Sequence, residues 1–145
     1  MGNPSAPTLS EQLCFDLYAA SRAVTAAYRP ALQELGLTYP QYLVLIVLWE
    51  HDGCTVRQIA DELHLDHGTL TPLLKRMEVL GLVARRRDDR DERQVLVSLA
   101  PQGEELRQHA ARIHCGMKDL LGLDADEFDA LQLTLRTLTR RTLSA

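Results

Sequence analysis

The feature that most constrains the fold is a switch of hydrophobic period in mid-chain. Before Gly81, apolar residues recur at three- and four-residue spacing, as on helices that bury one face. After it come two short runs, Val83 to Arg87 and Gln94 to Leu99. In the second, Val95, Val97 and Leu99 alternate as in a half-buried strand. The charged stretch Asp88 to Arg93 joins the runs as a hairpin tip. Pro101 then restores helix, because its fixed φ suits a first helical turn. A lone two-stranded ribbon is barely stable in water, so it must lie on a helical body. The expected fold class is mainly α with a two-stranded β wing.

Caps and stops divide the helical part. Thr8-Leu9-Ser10-Glu11 is a capping box and predicts a first helix from about Leu9. Leu13, Leu17, Ala20, Val24 and Tyr28 give it one apolar face; Pro30 disturbs or breaks it, and Gly36 closes the segment. A second helix, from about Pro40 to His51, is apolar nearly all round and should be buried. Thr55-Val56-Arg57-Gln58 is another capping box and opens a short helix through Leu63. After a turn at Leu65-Asp66, a fourth helix runs from about His67 to Leu80 and stops at Gly81. Beyond the ribbon, a long helix from Pro101 to about Leu121 ends at Gly122. Asp124-Ala125-Asp126-Glu127 then caps a last helix reaching Leu143.

At 145 residues the chain should form one domain with its own core. Its longest apolar run, Leu43 to Trp49, falls far short of the roughly 20 residues of a membrane span, so no membrane partner is expected. The segment Met1 to Pro7 has no basic residue and no apolar stretch and does not read as a signal peptide; a cytoplasmic location follows. Three widely spaced cysteines suit reduced thiols better than a disulfide framework. The net charge of −4 argues against an indiscriminate polyanion binder. Its distribution is more telling. From Lys75 to Arg93 seven basic and five acidic side chains give +2, and the rest of the chain carries −6. Positive field confined to one segment of an acidic body fits a local nucleic-acid footprint, although a solvated charged loop would look the same.

The order helix, helix, short helix, tight turn, helix, ribbon is that of a winged helix-turn-helix. In that arrangement the helix after the turn places its N-terminal side chains in the major groove. Here it offers His67, Gly68, Thr69 and Thr71, small or hydroxylated residues that permit close approach. Lys75 and Arg76 lie further along, within reach of phosphates, and Arg87, Arg90, Asp91 and Arg93 belong to the ribbon and its tip, sized to probe an adjacent minor groove. Pro72 removes a hydrogen bond to the Gly68 carbonyl and reads as a tolerated bend.

The second unusual segment is Leu13-Cys14-Phe15-Asp16-Leu17-Tyr18. A thiol in an apolar helix is often only a small core residue. Here phenols recur nearby: Tyr18 one turn on, then Tyr28 and the run Tyr39-Pro40-Gln41-Tyr42. Thiol and phenols together suggest a sensor whose output is DNA. If the helix is straight, Tyr28 lies roughly 20 Å along the axis from Cys14, at about 1.5 Å per residue. Any contact between Tyr28 and a Cys14 sulfur must then cross to a second chain.

Leu65-Asp66-His67-Gly68-Thr69-Leu70-Thr71-Pro72-Leu73-Leu74-Lys75-Arg76-Met77-Glu78, Gly81-Leu82-Val83 and Asp91-Glu92-Arg93 resemble the MarR family of dimeric winged-helix regulators. Leu13-Cys14-Phe15, Leu17-Tyr18, Tyr28-Arg29-Pro30 and Leu37-Thr38-Tyr39-Pro40-Gln41-Tyr42 are similar to its organic-hydroperoxide-sensing, OhrR-type subgroup. The resemblance covers nearly the whole chain. It implies a single domain over 1–145, with dimerisation helices in 9–36 and 101–145 and a DNA-binding lobe in 39–99. It implies a homodimer on a pseudo-palindromic operator, with an organic hydroperoxide as effector, no cofactor and no enzymatic turnover. Cys14 matches the cysteine that peroxides oxidise to a sulfenic acid; Tyr28 and Tyr39 match phenols that hydrogen-bond it, and Tyr18 an aromatic beside it. Asp91 and Arg93 match a pair that shapes the wing tip. Cys115 is the candidate for the resolving cysteine of an intersubunit disulfide; without it a small cellular thiol would cap the sulfur. Ala100 departs from the family's usual capping threonine.

Attack on a peroxide needs thiolate, and no lysine or arginine lies within a helical turn or two of Cys14 in sequence. A helix beginning at Leu9 would leave Cys14 just past the first turn, where the helix dipole is weak, so the phenols are the expected stabilisers of sulfur charge. Phe15, Leu13 and Leu17 would make an apolar entrance. Three other readings stay open. A MarR-type regulator could answer to a phenolic or lipophilic ligand in the dimer crevice. A metal-responsive regulator could draw on His51, Cys54, His64, His67, His109, His114 and Cys115, although no tight CxxC or HxxxH pair exists and no metal site is expected. A thiol peroxidase would leave the DNA-reading module unexplained.

Overall fold

A computed structural model describes residues 6–145, and most of the opening segment Met1 to Pro7 lies outside it. The chain divides into two compact units, Met1–Ala110 and Ala111–Ala145. In the first, a 3-10 turn, Leu9–Glu11, precedes α1 (Leu13–Ala27), α2 (Arg29–Glu34), α3 (Tyr39–Glu50), β1 (Cys54–Thr55), α4 (Val56–Leu63) and α5 (His67–Val79). The strands β2 (Val83–Arg87) and β3 (Val95–Leu99) and the short α6 (Pro101–Glu105) follow. Helix α7 (Arg107–Leu121) begins in the first unit and continues into the second, which is completed by α8 (Ala125–Leu143). No single helix is long and apolar enough to cross a membrane.

The core of the first unit is built on α3. Its mean apolarity is high with no preferred side, and Tyr42, Val44, Leu45, Leu48 and Trp49 are buried. Around it close Ile59 of α4, Leu70, Leu74 and Met77 of α5, and Val83 and Val97 of the strands, none more than 2% exposed. A capping box starts α3, with Thr38 Oγ1 accepting from Gln41 N and Gln41 Oε1 accepting from Thr38 N. The anticipated box at Thr55 and Gln58 starts α4 in the same way. Asp66 caps α5 by accepting from Thr69 N at 2.7 Å, and hydrogen bonding from Thr69, its side chain first and its backbone second, holds the carboxyl below the usual range.

Three expectations need correction. The capping box at Thr8 is real, but it closes only the 3-10 turn: Gln12 is extended (φ −96°, ψ 93°) and the α-helix restarts at Leu13. The helix after Pro101 is interrupted at Leu106, so it is two helices, α6 and α7. The second ribbon strand starts at Val95, one residue after Gln94. The expected two-stranded wing is present as β2 and β3, and the two-residue β1 joins its inner edge through Cys54 opposite Val97, giving the antiparallel order β1-β3-β2. Cys54 is therefore a buried structural residue whose thiol donates to the His51 carbonyl, and burial pushes that thiol up. Asp52 ties the same corner together, its Oδ1 accepting from Gly53 N and, at 2.8 Å, from Leu99 N.

Candidate sensing cysteine and nucleic-acid interface

The restart of α1 at Leu13 changes the setting of Cys14. The thiol is the second residue of the helix, within its first turn, where unpaired backbone N–H groups and the helix dipole favour negative charge. A helix continuous from Leu9 would instead leave it just beyond that turn. Cys14 is also exposed, not a core residue, and so accessible to reagents. Leu13 and Phe15, expected at its entrance, are 65% and 41% exposed.

Tyr28, Tyr39 and Tyr42 gather at the corner between α1, α2 and α3. Tyr28 and Tyr39 ring centroids lie 4.8 Å apart, and Tyr28 and Tyr42 6.0 Å. Burial raises the titration of all three phenols, so their hydroxyls stay protonated and can donate hydrogen bonds across the neutral range. Because α1 runs unbroken from Leu13 to Ala27, these phenols sit at the opposite end of the helix from Cys14 of their own chain, roughly 20 Å along its axis. Only Tyr18, 61% exposed, lies one turn from the thiol. Cys115, on α7, is exposed.

No residue of α1 is buried, nor is any residue of α8, although both carry large apolar side chains. On α8, Leu131, Leu133, Leu135, Leu138 and Leu143 are each at least 37% exposed. Large exposed apolar side chains in such number are a mark of surfaces that contact other proteins.

Helix α5 buries Leu70, Leu73, Leu74 and Met77 and turns His67, Gly68, Thr69, Lys75 and Arg76 outward; Thr71 is half-buried. Pro72 sits inside the continuous helix, as anticipated. Gly68 is informative. A Cβ there would meet nothing nearer than Asp66 Oδ1 at 4.0 Å, so no internal contact requires glycine. The missing side chain clears space outside the protein.

The wing tip is organised by Asp91, which accepts from Arg93 N and Nε at 3.2 and 3.1 Å and from Gln94 Nε2. These bonds, those from Arg93 first, hold its carboxyl below the usual range. Arg87 donates to the Glu92 carbonyl, and Arg90 N to Asp88. Arg90 and Arg93 project into solvent. Sequence reading missed two cations. Arg57 and Arg85 join His67, Thr71 and Arg93 around a basin of about 360 Å³ between α4, α5 and the strands. Glu78 holds Arg85 through its backbone N–H and Nη2, at 3.0 and 3.2 Å, while the buried Arg85 Nε has no partner. Among the described residues no group of three His, Cys, Asp or Glu side chains converges.

A family model described as transcriptional regulator SarA/Rot matches residues 26–110. The organic hydroperoxide resistance transcriptional regulator of Bacillus subtilis is 47% identical over 130 residues, covering 90% of this chain and 88% of its own. Among solved structures, reduced AbfR bound to DNA superposes with a TM-score of 0.77 at 36% identity, covering 94% of this chain and 92% of that one. Disulfide-formed AbfR superposes with a TM-score of 0.65 at 36% identity, covering 90% and 92%. AbfR is a Staphylococcus epidermidis protein.

Proposed function

This chain belongs to the MarR-type winged-helix transcriptional regulators, the group that includes the SarA/Rot family, and on that premise we propose that it is a repressor switched by oxidation of Cys14. Reduced, a homodimer holds a pseudo-palindromic operator in the cytoplasm. His67, Gly68, Thr69 and Thr71 face base edges, and Lys75, Arg76, Arg87, Arg90 and Arg93 face phosphates and the minor groove, with Asp91 bracing the wing tip. An organic hydroperoxide then oxidises Cys14. The thiolate attacks the terminal peroxide oxygen, an S–O bond forms as the O–O bond breaks, and the alkoxide leaves and takes a proton from water. Sulfur loses two electrons and becomes a sulfenic acid. Condensation with the Cys115 thiol of the partner chain would release water and form a disulfide.

The observation that carries this reading is the mismatch on α1. Its exposed thiol lies in the first turn, its phenol partners cluster beyond its far end, and the whole helix buries nothing in its own chain. A second copy would supply both the missing burial and Tyr28 and Tyr39 to each sulfur. Oxidation then acts on the interface that fixes the spacing of two reading heads, and half-sites about 34–36 Å apart tolerate little rotation. Relationship to the Bacillus subtilis regulator supports hydroperoxide as the effector, and the existence of a reduced, DNA-bound AbfR and of a disulfide-formed AbfR supports redox control.

The test is a gel shift with an alkyl hydroperoxide. Wild type should leave its operator on oxidation, and Cys14→Ser should stay bound. Release of Cys14→Ser at the same peroxide dose would remove the basis of the proposal. Non-reducing electrophoresis examines the second step: a covalent dimer that disappears in Cys115→Ser is expected.

A further inference from the structure

The basin between α4, α5 and the strands belongs entirely to the first compact unit. No residue of α1, α7 or α8 lines it, so a dimer joined through those helices leaves it open. Three guanidinium side chains converge on it: Arg57 from the first turn of α4, Arg85 from β2 and Arg93 from just before β3. His67 and Thr71 of α5 add hydrogen-bonding groups, and no carboxylate lines the basin. The three cations are held differently. Asp91 takes Arg93 through Nε at 3.1 Å. Glu78 takes Arg85 through its backbone N–H and Nη2, and Arg85 Nε stays buried without a partner. Arg57 is exposed and forms no ion pair among the described residues. At the start of α4 the helix dipole adds to its positive field.

We propose that this basin seats one backbone phosphate of each operator half-site, with Arg57 as its charge anchor and Arg85 as a fixed fork beside it. The proposal rests on the reading of the chain as a DNA-binding regulator and adds two contacts to that reading. A phosphodiester carries one negative charge and two free oxygens, which suits a planar guanidinium. Because Glu78 already pins Arg85, little side-chain freedom is lost when the phosphate arrives. The occupant is DNA, and not a free anion, for a positional reason. One wall carries His67 and Thr71, from the first turns of the helix that enters the major groove, and another carries Arg93, beside the wing tip. A DNA strand crossing from that helix to the wing passes over the basin. A phosphate is the same in every sequence, so Arg57 and Arg85 supply affinity and register rather than base preference.

The experiment places a neutral methylphosphonate at equivalent positions of both operator half-sites, one position at a time, and measures the affinity of wild type and Arg57→Gln by fluorescence anisotropy. In wild type, one such position should weaken binding about fivefold per half-site, the scale of a strong exposed ion pair. Arg57→Gln should weaken binding to the unmodified operator and to an unrelated duplex by the same factor, and should lower the salt slope by about one per half-site. It should lose no further affinity when the critical phosphate is neutral. Arg85→Lys, which keeps the charge but not the fork, should lose less at that position than wild type does. If Arg57→Gln is as sensitive as wild type at every phosphate, or binds both duplexes unimpaired, the assignment of the basin is overturned while the DNA-binding reading stands. Calorimetric binding of inorganic phosphate that Arg57→Gln abolishes, with DNA affinity unchanged, would give the basin to a free anion and also overturn it. Failure of wild type to bind either duplex would overturn both readings.

Discussion

The DNA-reading lobe and the helix α1 obey opposite rules. From α3 to β3, each element buries a face against another element of the same chain, and Leu45, Leu48, Leu74 and Val97 have essentially no exposure. Helix α1 is fifteen residues long and buries none of them. The lobe closes a core of its own, whereas α1 leaves every one of its residues at least partly exposed. The residues that carry chemistry follow the same division. The basic side chains of α5 and the wing belong to the first kind of element, and Cys14 belongs to the second.

Truncations on the two sides should separate folding from association. Leu48→Ala, in the core of α3, should cost about 2–5 kcal/mol in chemical denaturation. Leu135→Ala on α8, where the side chain is 40% exposed, should leave the fold intact and weaken self-association roughly tenfold in sedimentation. A large loss of monomer stability from the second change would break the comparison. Gly103 supplies the next effect. A Cβ there would stand 2.1 Å from the Leu82 carbonyl oxygen, and the Gly103 carbonyl accepts from Trp49 Nε1 at 2.9 Å. Gly103→Ala should therefore destabilise by about 1–3 kcal/mol through forced backbone movement, visible as a lower denaturation midpoint.

Smaller effects sharpen the picture. Gly68→Ala should raise thermal stability by up to about 1 kcal/mol, because alanine favours helix, and yet weaken operator binding. A variant that gains both would show that the glycine does not serve DNA approach. Ala100 begins α6 with no side-chain cap, and Ala100→Thr should add about 1 kcal/mol without altering DNA affinity. Acid has the smallest effect. Asp66, Glu78 and Asp91 titrate below their ordinary values, each chiefly through hydrogen bonds received from Thr69, Arg85 and Arg93. Their contribution is present above the ordinary carboxylate range and is lost as pH falls through the lowered values. Circular dichroism and limited proteolysis of the wing should thus change only below that range; loosening already near pH 6 would contradict it.

Much of the lobe was legible because its signals are local. The alternation of Val95, Val97 and Leu99, the Thr55 box and the Gly81 stop each act within a few residues, and β2 falls at Val83–Arg87 as read. The cap at Thr38 and Gln41 is equally local, but Tyr39-Pro40 drew the reading one residue late. What was not legible depends on distance in sequence. Strand β1 has two residues, too few for a period, and exists only because β3 pairs with it. Arg85 lines the basin between α4, α5 and the strands, where it pairs with Glu78 of α5, seven residues earlier. At the sensing end, the chemistry of Cys14 depends on Gln12 breaking the helix before it, a conformational choice no spacing reveals. The clustering of Tyr28 with Tyr39 depends on the turn between α2 and α3.

The central claim is that each sulfur is served by phenols of the other chain, and mixed dimers test it most directly. One chain carries Cys14→Ser with its tyrosines intact; the other keeps Cys14 but carries Tyr28→Phe and Tyr39→Phe. Measured by release from operator DNA with an alkyl hydroperoxide, neither homodimer should respond normally, whereas the mixed dimer, with one complete site, should recover a rapid response. A mixed dimer as slow as the Tyr28→Phe, Tyr39→Phe homodimer would contradict the account.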